Sequence, residues 1–219
     1  TNRSQFIIMD EGTEMSMSLD AYNQFVKEEP IEKGTARAKL IANIGNRIAA
    51  VADKPEYEWE FLVVSRDDVI NAMCLPGGKV FVYTGIIKLT GSNEGELAAI
   101  MGHEIAHALA RHGAESASVG QATSIGAGIA AVVAESVVGD GTGEIAGSLT
   151  NTLASLGLTL PRSRMQESEA DHIGLILMAK AGYNPNYAVS LWEKMAKNNE
   201  GNEPLSFLST HPLNAERIE

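Results

Sequence analysis

The run Gly95-Glu-Leu-Ala-Ala-Ile-Met-Gly-His-Glu-Ile-Ala-His-Ala-Leu-Ala-Arg-His112 constrains this 219-residue chain more than any other segment. Its small and apolar residues leave no polar face, so a helix here is buried on all sides. Leu97, Met101, Ile105, Ala108 and Leu109 share one side, with His103 and His107 opposite. A buried pair of imidazoles beside a carboxylate needs partners, and the rest of the fold must supply them. Two histidines four residues apart project from one helical face and can converge on one Zn²⁺, leaving room for a third ligand and a water. Glu104 stands next to His103, placed to hold that water and take its proton. The alternative is a pair of core histidines satisfied by hydrogen bonds alone. Asn93 with Glu96 three residues on predicts a capping box at the helix start, and Gly113 a stop.

A third protein ligand has to come from elsewhere. Glu115, Glu135, Glu144, Glu167, Glu169, Asp171 and the remaining histidines are candidates. The segment Ser163–Gly182 stands out, with a capping box from Ser163 and Gln166, an apolar stretch through Ile173, Leu175, Ile176, Leu177 and Met178, and a glycine stop before Pro185. Glu167 and Asp171 are four apart on one face of that helix. One can bind metal while the other accepts a hydrogen bond from a ligating imidazole. Glu169 points elsewhere and reads as solvated. The competing explanation is an ordinary acidic first turn facing the helix dipole.

His-Glu-Ile-Ala-His followed by Arg-Met-Gln-Glu-Ser-Glu-Ala-Asp resembles the gluzincin metallopeptidases, within them the family of the CAAX prenyl endopeptidases, HtpX, BepA and the Oma-type proteases. That resemblance implies zinc, one ion per chain, with Glu167 as third ligand and Asp171 behind a histidine. It implies an α+β fold, mainly α, with a small sheet beside the zinc helix. Asn71–Gly85 resembles the family's strand and turn before the zinc helix, and Ser209–Ile218 its C-terminal His-Pro motif. The opening Arg3–Met9 resembles the mature start of bacterial lipoprotein members. From these follow the expectations of a periplasmic or envelope location, a lipid anchor upstream, and unfolded or misassembled envelope polypeptides as substrates. Prenylated substrates are not expected, because the chain lacks the many spanning helices of that branch.

The sequence is read as one metallopeptidase domain: N-terminal helices over 1–55, a small sheet over 56–92, the zinc helix over 93–115, a Gly/Ala-rich lid or hairpin over 116–160, the third-ligand helix over 163–182, and a helix with the His-Pro segment over 183–219. A formal charge of −11 argues against nucleic acid and against an anionic membrane surface. The single cysteine, Cys74, excludes an intramolecular disulfide framework and sits in an apolar stretch where a buried, inert thiol is expected. No signal peptide or spanning helix of ordinary hydrophobicity is visible.

Residues 10–29 and 35–51 carry helical apolar stripes. Residues 59–65 predict a strand. Val69–Met73 and Lys79–Tyr83, flanking Pro76-Gly77-Gly78, predict two more. Asn71, Ala72 and Met73 are placed on a sheet edge that could bind extended substrate by strand addition. Tyr187–Lys197 predicts a further helix, and 198–204 a loop. His211 either donates to the oxyanion of the reaction, fills the open zinc position in a latent form, or caps the final helix. Arg164 is a second charge donor for the site, or a solvated arginine. His112 and His172 are read as structural. The function that fits is a zinc endopeptidase; a latent zinc protein acting as a chaperone-like binding module is the alternative.

Overall fold

The computed structural model describes residues 3–127, 145–199 and 205–212. Helix α1 (Glu11–Glu28) begins where the Asp10 carboxylate accepts the Thr13 N–H and ends before Pro30. Helix α2 (Ala36–Ala49) begins at a Thr35 cap and turns Ile41, Ile44 and Ile48 inward as a fully buried stripe. Each such side chain contributes on the order of 1.5–3 kcal/mol when taken out of water.

Strands β1 (Ile31–Glu32), β2 (Glu60–Val64), β3 (Ala72–Leu75) and β4 (Lys79–Tyr83) form one mixed sheet in the order β1-β2-β4-β3. β2 and β4 are parallel; the other pairs are antiparallel. Strand β3 starts three residues later than the predicted Val69–Met73 and runs up to the Pro76-Gly77-Gly78 turn. The chain curls first, with the Arg66 carbonyl accepting from Val69 and Gly85, so pairing cannot begin at Val69. Gly77 and Gly78 close the hairpin at φ 86° and 92°, a region in which a side chain is strained.

The sheet is the middle layer, and alternation decides which residues face which side. Phe61, Val63, Val80 and Val82 meet α2 and the central helix; Val64, Leu75, Phe81 and Tyr83 meet α1 and Leu149 and Leu156. Phe25 packs on Phe81 with ring centroids 4.2 Å apart.

After α3 (Thr84–Leu89) comes the central helix α4 (Glu94–Leu109), buried along nearly its whole length as its composition requires. Asn93 caps it by accepting the Glu96 N–H. The expected return bond from Glu96 is not made: that buried carboxylate takes Lys194 at 2.6 Å and Ser190 at 3.2 Å instead. The stop also differs from expectation. α4 ends at Leu109, and Arg111, with φ 52°, breaks the run four residues before 115 and two before Gly113. Arg111 is held there by Glu14 of α1 at 2.7 Å and by the Met9 carbonyl. α5 (His112–Ala127) then starts as a separate helix.

α5 and α6 (Ile145–Ser155) account for part of the Gly/Ala-rich stretch; 128–144, with Glu135, Glu144 and the glycine-rich break at 139–143, lies outside the described residues. α7 (Arg164–Lys180) carries the full Ser163–Gln166 capping box. α8 (Asn186–Asn199) and the short α9 (Ser206–Thr210) complete the described chain; most of the predicted loop 198–204 and the His-Pro segment beyond Pro212 also lie outside it. The result is the mainly helical α+β domain expected. Among the described residues no helix is long and apolar enough to cross a membrane.

One contact fixes the site. α4 and α7 cross at Gly102 and Gly174, where a Cβ on Gly174 would lie 3.0 Å from the Gly102 carbonyl carbon and from the His103 nitrogen. Only two glycines allow backbones this close, and the approach sets α7's acidic face against the histidines of α4.

Candidate metal centre

His103 and His107 from α4, Glu167 from α7 and His211 after α9 each offer one donor atom, all within 4.8 Å of one another and all buried. The ring nitrogens face inward: His107 Nε2 is 3.0 Å from His103 Nε2, which is 3.3 Å from His211 Nδ1. Glu167 Oε1 lies 3.3 Å from His107 Nε2 and 3.1 Å from His211 Nδ1. Asp171 stands one turn along α7 from Glu167, with Oδ1 2.9 Å from His103 Nδ1. In the neutral ring that contact keeps the proton on Nδ1 and turns the Nε2 lone pair toward the cluster. Three converging imidazoles and a carboxylate form a donor set suited to a divalent transition metal such as zinc.

The electrostatics describe a site built for a cation. Burial opposes charge on Glu167, but bonds from His103, His107 and His211 hold its carboxyl far below the usual range. Burial likewise opposes charge on His103, yet Asp171 and Glu167 raise it to about 9. Burial, then the charge on His103, pushes His107 well below the ordinary imidazole value. Burial raises the Glu104 carboxyl, with His211 and His103 acting against it. Glu104 Oε1 is 3.4 Å from His211 Nε2.

A cleft opens beside the cluster, lined by Glu104, His107 and His211 and also by Asn71, Ala72 and Met73. β3 is an edge strand, as expected, and the Asn71 side chain accepts the Ala72 N–H at 2.9 Å. Leu153, Leu158 and Thr159 form a further wall, so part of the Gly/Ala-rich stretch borders the cleft. Cys74 also lines it but is buried, and burial drives its thiol far above the usual value, in keeping with an inert side chain.

Several residues differ from expectation. Arg164 is exposed in the first turn of α7; the arginine at the cleft is Arg162, 6% exposed, bonded to the carbonyls of Gly157 and His112 and to Ser116. The Ser163 cap carries part of this signal, since it places residue 164 on the helix and residue 162 before it. Glu169 is not solvated: its side chain is 8% exposed and contacts Arg3 and His112. His112, read as structural, is buried with its Nδ1 2.8 Å from Nδ1 of His107. His172 is exposed. Of the other carboxylates weighed as ligands, Glu115 pairs with Arg3 and Gln166.

The model for peptidase family M48 matches residues 35–219. The chain belongs to peptidase family M48. It is 37% identical to the mitochondrial metalloendopeptidase OMA1 of Schizosaccharomyces pombe, over all of this chain and 63% of that protein. It is 32% identical to the Saccharomyces cerevisiae protein of the same name, over all of this chain and 66% of the relative. The beta-barrel assembly-enhancing protease of Escherichia coli K12 is 26% identical over 94% of this chain and 42% of its own length. By family this is a metalloendopeptidase domain, and it spans less than two thirds of each of these relatives. The mitochondrial relatives are more similar than the bacterial one, so kinship to periplasmic lipoproteins in particular does not follow from them.

Proposed function

We propose that this M48 domain is a zinc-dependent endopeptidase acting on extended polypeptide, with His103, His107 and Glu167 as the metal ligands and Glu104 as the base. The observation carrying it is the buried set of converging donors with Glu104 alongside, opening into a cleft bordered by an edge strand. Bound zinc would acidify a water and polarise the scissile carbonyl. Glu104 takes the proton of the attacking water, its basicity raised by burial, and passes it to the leaving amine. Asp171 holds the His103 ring in one tautomer. β3 receives substrate as an added strand, with Asn71, Ala72 and Met73 beneath the backbone near the scissile bond. Arg162, rather than Arg164, is the positive charge beside the reacting carbonyl.

The test is cleavage of casein by the parent and Glu104→Gln with zinc supplied, alongside the zinc content of Glu167→Ala. Loss of turnover with zinc retained in Glu104→Gln, and loss of zinc in Glu167→Ala, are expected. Activity in the first variant removes Glu104 as base; full zinc in the second removes Glu167 as ligand.

His211 favours a second reading for the resting protein. Its Nδ1 stands among the ligand atoms, where a catalytic site keeps a position open for water. We propose that His211 closes the site at rest and that α9 carries it away when substrate binds. A latent, substrate-holding state of this kind is what remains of the binding-module alternative. Unfolded or misassembled envelope proteins as substrates, and an envelope location with an upstream lipid anchor, are proposed on the likeness of Arg3–Met9 to lipoprotein members and on the β-barrel assembly relative; the higher identity to mitochondrial relatives weighs against that compartment.

A further inference from the structure

A line of polar contacts runs outward from His107. Its Nδ1 lies 2.8 Å from Nδ1 of His112, and the other nitrogen of His112 lies 3.0 Å from Glu169 Oε2. The same carboxylate oxygen accepts the Nε–H of Arg3 at 2.6 Å. Arg3 spends its terminal nitrogens on Glu115, whose Oε2 also accepts Gln166 at 2.9 Å. The His112 side chain is fully buried and that of Glu169 nearly so. Arg3, His112 and Glu169 come from the segment before α1, the start of α5 and the second turn of α7, so only the tertiary fold assembles them.

The hydrogen-bond roles can be worked out. An imidazole that offers its Nε2 lone pair to a cation carries its proton on Nδ1. His107 Nδ1–H is then the donor, and His112 Nδ1 must be a bare acceptor. That leaves the His112 proton on Nε2, facing Glu169, which accepts it. Arg3 keeps Glu169 ionised and in place. In this order each nitrogen along the line has the partner it requires. His103 is served differently, by the carboxylate of Asp171 directly.

We propose that His112, Glu169 and Arg3 are positioning residues for His107, so that the segment before α1 is a working part of the metal centre. The proposal rests on the assignment of His107 as a ligand. Without Arg3, Glu169 can turn to water. His112 is then free to place its proton on Nδ1, where it faces the His107 proton and removes the acceptor that fixes the ring.

The experiment measures zinc release to a chromophoric chelator, and the visible absorption of the cobalt-substituted protein, for the parent, Arg3→Gln, Glu169→Gln, His112→Phe and His112→Asn. His107→Ala serves as control, and thermal unfolding is recorded for all. His112→Phe should release zinc about 10- to 100-fold faster, the range for partners of metal-bound histidines. Arg3→Gln and Glu169→Gln should do so several-fold, with altered cobalt spectra at parental melting temperatures. His112→Asn should stay near the parent, because its Oδ1 can stand where Nδ1 stood and accept. A packing role alone would reverse that order, since phenylalanine fills the space better than asparagine. The proposal is overturned if His112→Phe retains zinc better than His112→Asn. Parental release and spectra in Arg3→Gln and Glu169→Gln overturn it too, and Arg3→Gln decides should His112→Phe not fold. Full zinc in His107→Ala would instead strike the ligand assignment beneath it.

Discussion

Replacing Gly174 by alanine tests whether the α4–α7 crossing sets the metal geometry. The added Cβ would sit 3.0 Å from the Gly102 carbonyl carbon and from the His103 nitrogen. Comfortable carbon contacts lie at about 3.5–4.0 Å, so α7 must back away by about 0.5 Å. Both obstructing atoms are helix backbone, which cannot rotate aside as a side chain would. Alanine gains up to about 1 kcal/mol in helix propensity, against about 1–3 kcal/mol for overpacking, a net loss of about 0–2 kcal/mol. For a domain of this size that lowers the melting temperature by at most about 8 °C. Metal geometry tolerates much less, with ligand distances held to about 0.2 Å. Glu167 and Asp171 ride on α7, while His103 and His107 ride on α4. A modest stability loss should therefore accompany zinc release roughly tenfold faster, as when a supporting contact of a ligand is lost. The assay is thermal unfolding of the metal-free protein paired with zinc transfer to a chelator. Gly120→Ala on α5 is the control, because its Cβ meets nothing nearer than 4.0 Å. Unchanged zinc release in Gly174→Ala would mean that the helix pair has slack and the glycines do not set the site.

Removing His211 separates its two roles. His211→Ala should cleave casein faster than the parent if the imidazole closes the site at rest, whereas a loss of about a hundredfold would assign it to oxyanion stabilisation. Metal loading should also be linked to protons. Asp171 and Glu167 hold His103 up to about 9, against burial, so throughout the window below about pH 9 a metal must displace that proton. Zinc affinity should rise with pH across that window and then level off. Titration calorimetry at pH 8 in buffers of different ionisation enthalpy should show close to one proton released, and none released would refute the raised value.

Much of the site was legible because its residues lie at helical spacing. His103, Glu104 and His107 share one and a half turns, and Glu167 and Asp171 share a face, so local periodicity alone pairs them. The sheet edge was legible from the Pro-Gly-Gly turn, although the strand began later than predicted because a turn at Arg66 consumes the first residues. Where α4 ends was not legible. Gly113 is the usual stopping residue, but Arg111 takes the left-handed conformation because Glu14 and Met9, about a hundred residues away, hold its side chain. That break brings His112 back onto His107, a contact that five-residue spacing on a continuous helix would not produce. For the same reason Glu169 and Arg3 gave no signal: their partners come from distant segments. The sequence by itself paired His103 with His107 and Glu167 with Asp171, since spacing on a helix is a local property; it was the family resemblance that singled out Glu167 among the carboxylates. Only the tertiary structure decided which groups back those ligands, and that His211 stands among them, since those contacts depend on how closely separate helices pack.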